Sequence, residues 1–143
     1  MRAMPIVVAT FFVLGCAGPP NPFQPTIDQG LLIMKSVNFE SPPEAKLKTA
    51  HELLAHAEQY GREIVASSPS DTRREAERLR RGERATASIL MRDAASDYVK
   101  QQQPGKARDT YRSILATFTE EYEASFRDGA EAALRGLDEG LAK

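Results

Sequence analysis

The sequence predicts an all-α protein built from antiparallel helical hairpins, and three observations carry that expectation. After residue 43, Ala, Leu, Glu and Arg dominate while Thr, Val, Ile and Tyr are sparse, a mix that loses little side-chain entropy in a helix. Apolar residues recur at steps of three and four from Leu47 to Leu141, the spacing that lines one face of a helix. No segment there alternates apolar and polar residues with the period of two that a half-buried strand needs.

At 143 residues the chain has room for one domain. Its 19 Lys plus Arg nearly balance 20 Asp plus Glu, so no global field draws it to nucleic acid or repels it from a membrane. The single cysteine, Cys16, excludes an internal disulfide.

The first element is the opening stretch. Arg2 supplies a positive end, Ile6 to Leu14 form a mostly apolar core, and small Gly15 precedes Cys16, which is the three-part layout of a secretory signal. A transmembrane helix needs about 20 apolar residues, and Gly15 with Pro19, Pro20, Pro22 and Pro25 ends the run well short of that. On residues alone an ordinary cleaved signal, or a buried strand with a structural cysteine, is also compatible. Val13-Leu14-Gly15-Cys16 resembles the lipobox of bacterial lipoproteins. The resemblance implies that residues 1–15 are a signal peptide, and that Cys16 is the lipid attachment point and first mature residue, its acyl chains such as palmitate holding the protein on a membrane. Ala17 after that cysteine implies the outer membrane, facing the periplasm, in a Gram-negative cell envelope.

Residues 16–43 follow as a tether. "AGPPNPFQP", residues 17–25, should be extended because each proline fixes its own φ and disfavours helix before it. As a flexible chain, residues 17–43 would reach about 30 Å. Within it, Leu31, Leu32, Ile33, Met34, Val37 and Phe39 are too much apolar surface to leave in water. The segment is expected to pack back onto the helical core, with a docking motif for another protein as the alternative. Thr26 or Asp28 can cap a short helix there.

The helical domain is expected over 44–141. Pro42-Pro43 and Glu44 start a first helix, with Leu47, Ala50, Leu54, Ala57, Gly61, Ile64 and Val65 on one stripe and Leu53 and Tyr60 beside it. "SSPSD" breaks the pattern, with Ser70 or Asp71 as cap. A second helix should run from Thr72 to Gln102 with Ala76, Leu79, Thr86, Leu90, Ala94 and Tyr98 inward, ended by Pro104-Gly105. A third carries Ala107, Tyr111, Ile114, Leu115 and Phe118, and a fourth carries Tyr122, Phe126, Ala130, Ala133, Leu134, Leu137 and Leu141.

Between Ser88 and Phe118, Ala107 falls nine residues after Tyr98, Tyr111 thirteen after it, and Ile114-Leu115 sixteen and seventeen after it. That spacing resembles a tetratricopeptide repeat. The small Ala107 then lets two antiparallel helices approach while Tyr98, Tyr111 and Ile114 fill the space beside them. Stepping 34 residues back reaches Gly61, but the helix after it lacks the alanine and aromatic of a second repeat. A lone repeat cannot bury its faces, so the first and last helices should flank it, as a repeat-like stack or as a four-helix bundle. The resemblance implies a protein-binding scaffold.

Chemistry is sparse. His51 and His56 are five apart and so do not share a helix face as a metal pair would, and both are expected at the surface; Glu52 can meet His56 one turn on. No nucleophile elbow, phosphate loop, dinucleotide fingerprint or zinc-protease signature occurs. The expectation is no enzyme, cofactor, metal, nucleic acid or small-molecule substrate. "RREAERLRRGER" carries Arg73, Arg74, Arg78, Arg80, Arg81 and Arg84, broken by Glu75, Glu77 and Glu83. An ion-laced solvated face is expected, with Glu77 pairing Arg81; the functional alternative is a strip binding phospholipid head groups, lipopolysaccharide or an acidic partner. The whole reads as an envelope lipoprotein that scaffolds another envelope protein. Its rivals are a helical bundle that forms homo-oligomers or braces an envelope complex, and a cytoplasmic helical adaptor.

Overall fold

The computed structural model describes residues 21–62 and 68–141. The signal peptide, Cys16, and the stripe positions Ile64 and Val65 lie outside the described residues. Five helices follow in order: α1 (Gln24–Lys35), α2 (Pro43–Arg62), α3 (Ser70–Lys100), α4 (Pro104–Thr117) and α5 (Ala124–Leu141), with a short 3-10 turn at Glu121–Glu123 before the last. The fold is all-α, with no strand among the described residues.

Proline sets three of the starts. Pro43 opens α2 with Glu44 in its first turn, and Pro104 and Pro25 stand in the first turns of α4 and α1, where the missing N–H has no partner to lose. The proline-rich stretch therefore gives way to helix at Gln24. In the packed unit α1 precedes the expected domain start at Glu44. The α3–α4 turn closes through Gln103 N–H donating to Tyr98 O at 2.8 Å and Gln102 N–H to Val99 O at 3.0 Å. That double closure puts Gln102 in the left-handed region, at φ 58°.

Each helix packs mainly on its neighbours in sequence, and cross-helix pairs show every step to be antiparallel. Phe23 meets Tyr60 while Ser36 meets Thr49. Lys46 meets Asp97 while His56 meets Glu83. Arg84 reaches Thr117 while Lys106 lies over Tyr98. Phe118 stacks edge-on against Phe126 while Arg108 pairs with Asp138. This adjacency is that of successive hairpins.

One core runs through α2–α5: Ala50, Leu53, Ala87, Met91, Ala95, Tyr98, Ala107, Tyr111, Ile114, Phe118 and Ala130 are buried together. The repeat-like positions Tyr98, Ala107, Tyr111 and Ile114 all belong to it. A second small cluster, Phe23, Tyr60 and Ala76, pins the start of α1 to the far end of α2 and the start of α3. Along α3 the inward residues exceed the expected stripe. Ala76, Ala94 and Tyr98 are buried and Leu79, Thr86 and Leu90 half-buried, but Glu83, Arg84, Ala87, Ser88, Met91 and Ala95 are buried as well. A helix with α1, α2 and α4 around it has more than one inner face.

Candidate interaction site

The six arginines of α3 divide by helix face. Arg74 pairs with Asp71, Arg78 with Glu75 at 2.7 Å, and Arg81 with Glu77 at 2.7 Å, all at the surface. Arg73 is exposed beside them. Arg81 also lies 4.5 Å over the Tyr122 ring. Arg80 and Arg84, one turn apart, instead face the α4–α5 corner, which corrects the expectation of one solvated strip. Arg84 is buried; its Nε donates to Glu123 Oε1 at 2.6 Å and its Nη2 to Thr117 O at 3.1 Å. Arg80 Nη2 donates to Glu120 Oε1 at 2.6 Å and to Glu58 Oε1 at 3.3 Å.

Glu123 is fully buried and its second oxygen accepts Glu120 N–H at 3.0 Å. Burial works to raise its pKa, but the Arg84 guanidinium and that amide outweigh it and hold the carboxyl below its ordinary value. The hydrogen bond that Arg84 donates to Glu123 correspondingly raises Arg84 against the cost of burial. These residues lock α3 to the corner that begins α5.

A second buried polar group joins α1, α2 and α3. His51 is exposed as expected, but His56 is only 2 % exposed, which corrects its expected surface place. Its Nδ1 lies 2.9 and 2.8 Å from the two Glu83 oxygens, and Tyr60 Oη donates to Glu83 Oε1 at 3.2 Å. Glu52, one turn away on the same helix, is exposed; the partner comes from α3. Near the other end of α2, fully buried Lys46 puts Nζ 2.5 Å from both Asp93 and Asp97. Desolvation alone would lower the Lys46 pKa, yet the two carboxylates raise it, and Lys46 lowers Asp97 in return. All three groups bridge helices and tie them together, and Asp93 and Glu83 also reach the walls of surface clefts.

The exposed side of α3 is different. Arg74, Arg78, Arg81, Ala85, Ile89, Arg92 and Ser96 recur at steps of four and three, so they share one face. α1 flanks that face on one side, where Leu31 and Met34 line a shallow groove with Arg78, Gly82 and Thr86. On the other side, over its C-terminal half, the face opens into a cleft of about 550 Å³ lined by Phe39, Ile89, Arg92, Asp93, Ser96, Tyr111, Gly129 and Ala133.

The cleft joins exposed apolar side chains to one guanidinium, Arg92, and to the Asp93 carboxylate that Lys46 already holds. Phe39 is 84 % and Ile89 53 % exposed, a cost that a surface normally avoids unless something covers it. A Cβ at Gly129 would sit 3.9 Å from Arg92 Nη1, so the guanidinium lies across α5. Burial pushes the Tyr111 hydroxyl up, with Arg92 acting against it. Arg92 makes no ion pair among the described residues. Such a site suits an extended segment or helix carrying an apolar side chain and a carboxylate. Of the cleft's lining only Phe39, within the alternative docking segment, and Tyr111, as a repeat-like position, were singled out in the sequence; Ile89 and Arg92 were not, although Ile89 stands as an isolated apolar residue within the polar repeat of Arg74, Arg78, Arg81 and Arg92.

Among the described residues no group of three or more His, Cys, Asp or Glu is placed to hold a metal ion, and no helix is long and apolar enough to cross a membrane. Compared with protein-family models, with curated proteins and with solved structures, the chain finds no match.

Proposed function

We propose that this protein is an envelope lipoprotein, held on the membrane through acylated Cys16, whose repeat-like helical stack scaffolds another envelope protein through the cleft between α3 and α5. The observation that carries the interaction half is that cleft itself, with Ile89 and Phe39 exposed along it and Arg92, in no ion pair among the described residues, in its lining. The anchor half is supported by Val13-Leu14-Gly15-Cys16 after an apolar core. Catalysis, cofactor, metal and nucleic acid have no part in this reading.

A photo-crosslinking side chain at position 89, in the full chain in its native envelope, tests it. A discrete adduct that Arg92→Glu abolishes supports the scaffold. Capture of nothing at position 89, or an adduct indifferent to Arg92, overturns it. A homodimer as the adduct would favour the second reading, a bundle that oligomerises or braces a complex. Phe126, Leu134 and Leu137 of α5 pack against the core and keep part of their apolar surface open, area that a second copy or a braced complex would cover.

A further inference from the structure

The exit point of the tether is fixed by packing. Phe23 is 3 % exposed, meets Tyr60 edge-on at 5.9 Å, and shares a cluster with Ala76. It lies seven positions after Cys16, a stretch that fully extended spans about 25 Å. If Cys16 carries the lipid, the end of the domain holding Phe23 and the start of α3 never leaves the neighbourhood of the bilayer.

From that end, α1 and α3 run side by side and carry both ingredients of an interfacial surface. Leu31 is 44 % and Leu32 68 % exposed on α1. Leu31 shares its groove with Arg78, and Arg74 lies one turn before Arg78 on the same face of α3. Arg74 and Arg78 keep 79 % and 68 % of their side chains in solvent. Their partners, Asp71 and Glu75, lie one turn away on the same helix, Arg78 holding Glu75 by two hydrogen bonds at 2.8 and 2.7 Å, so a bilayer phosphate would have to displace a carboxylate from each. A guanidinium binds phosphate oxygens two at a time, and leucines beside arginines are the composition that settles at the boundary of head groups and acyl chains.

We propose that the face formed by Leu31, Leu32, Arg74 and Arg78 rests on an anionic bilayer, so that the domain lies against its membrane in a fixed orientation. This rests on the anchor reading of Cys16. The short tether favours lipid over an acidic protein as the occupant, because it keeps the head groups at high local concentration beside this face and no other.

The experiment uses the full chain with Cys16→Ser, so that acylation cannot mask the contact. Cosedimentation is measured with phosphatidylcholine vesicles and with vesicles of phosphatidylglycerol and phosphatidylcholine in equal parts. The apolar run Ile6–Leu14 is common to all samples, so only differences between them report on the face. The expected result is roughly tenfold tighter binding to the anionic vesicles, lost on adding salt. Arg74→Glu with Arg78→Glu brings the two vesicle types to parity, and Leu32→Asp weakens binding to the anionic ones, each with an unchanged melting curve.

Parity already in the Cys16→Ser chain, or a preference that survives both variants, overturns the proposal. Retention on immobilised polyglutamate without any vesicle preference would assign the arginines to an acidic protein and overturn it equally. Labelled palmitate in the wild-type chain reads the anchor separately: label with vesicle parity sinks this face alone, whereas no label with a vesicle preference sinks the anchor alone.

Discussion

Gly30 of α1 sits directly against the Glu83 carboxylate of α3: a methyl group added there would overlap Glu83 Oε1 and lie 3.2 Å from His56 Cε1. The carboxylate is held in place by His56 and Tyr60, so it has no room to yield. Alanine normally stabilises a helix interior over glycine by about 1 kcal/mol, but here the sign reverses. Gly30→Ala should cost about 1–3 kcal/mol through overpacking and raise hydrogen exchange in α1 ahead of α2–α5. Gly82→Ala, with nothing within 4 Å of its added carbon, should instead raise the melting temperature. Equal shifts for the two would show that α1 is not seated on Glu83.

Arg84→Ala strands the fully buried Glu123 carboxylate. Removing one member of a buried pair typically costs about 3–5 kcal/mol, while replacing both with apolar groups of similar size is often neutral. In urea unfolding, Arg84→Met combined with Glu123→Leu should therefore be more stable than Arg84→Ala alone. The reverse order would mean the pair contributes more than its desolvation costs.

Glu123 and Asp97 are both held below their ordinary pKa values of 4.5 and 3.8. The unfolded chain thus binds protons that the folded one resists, so stability from these groups is present above those values and lost as pH falls through the lower, folded ones. Lys46 runs the other way: its folded pKa is raised above 10.5, so its contribution is complete below that value and lost as pH rises past it. Unfolding free energy should be flat near neutrality and fall at both extremes. Lys46→Met should remove part of the alkaline decline, the raised hydroxyls of Tyr98, Tyr111 and Tyr122 supplying the rest, read by chemical denaturation at several pH values.

Gln102 holds the left-handed position at the end of α3 with φ 58°, a conformation that costs a side chain about 1 kcal/mol and costs glycine little. Gln102→Gly should raise the melting temperature by about 4 °C or more for a domain of this size, with the α3–α4 turn unchanged. A lower melting temperature would place that residue in another conformation in solution.

The parts of the fold legible in the sequence were those written locally. Pro43, Pro104 and the "SSPSD" break mark the helix starts at Pro43, Pro104 and Ser70, because proline acts on its own turn; α3 begins after Pro69 with no side-chain cap from Ser70 or Asp71. The four positions Tyr98, Ala107, Tyr111 and Ile114 fall in one core because their spacing already encodes a hairpin. The polar ties were not legible. Lys46 meets Asp97 across 51 residues and Arg84 meets Glu123 across 39, and a periodicity reading sends every charged residue to solvent. His56 failed for the same reason, its partner lying on another helix. The cleft was hidden because its walls come from the loop before α2 and from α3, α4 and α5, which no local window spans.

α3 runs 31 residues without interruption, a rod of about 46 Å. The tether leaves beside its first turns, and Ile89 stands 15 residues beyond Arg74, about 22 Å further along the axis. The distance between those two points is therefore set in turns of one stiff strut, which loop breathing cannot alter.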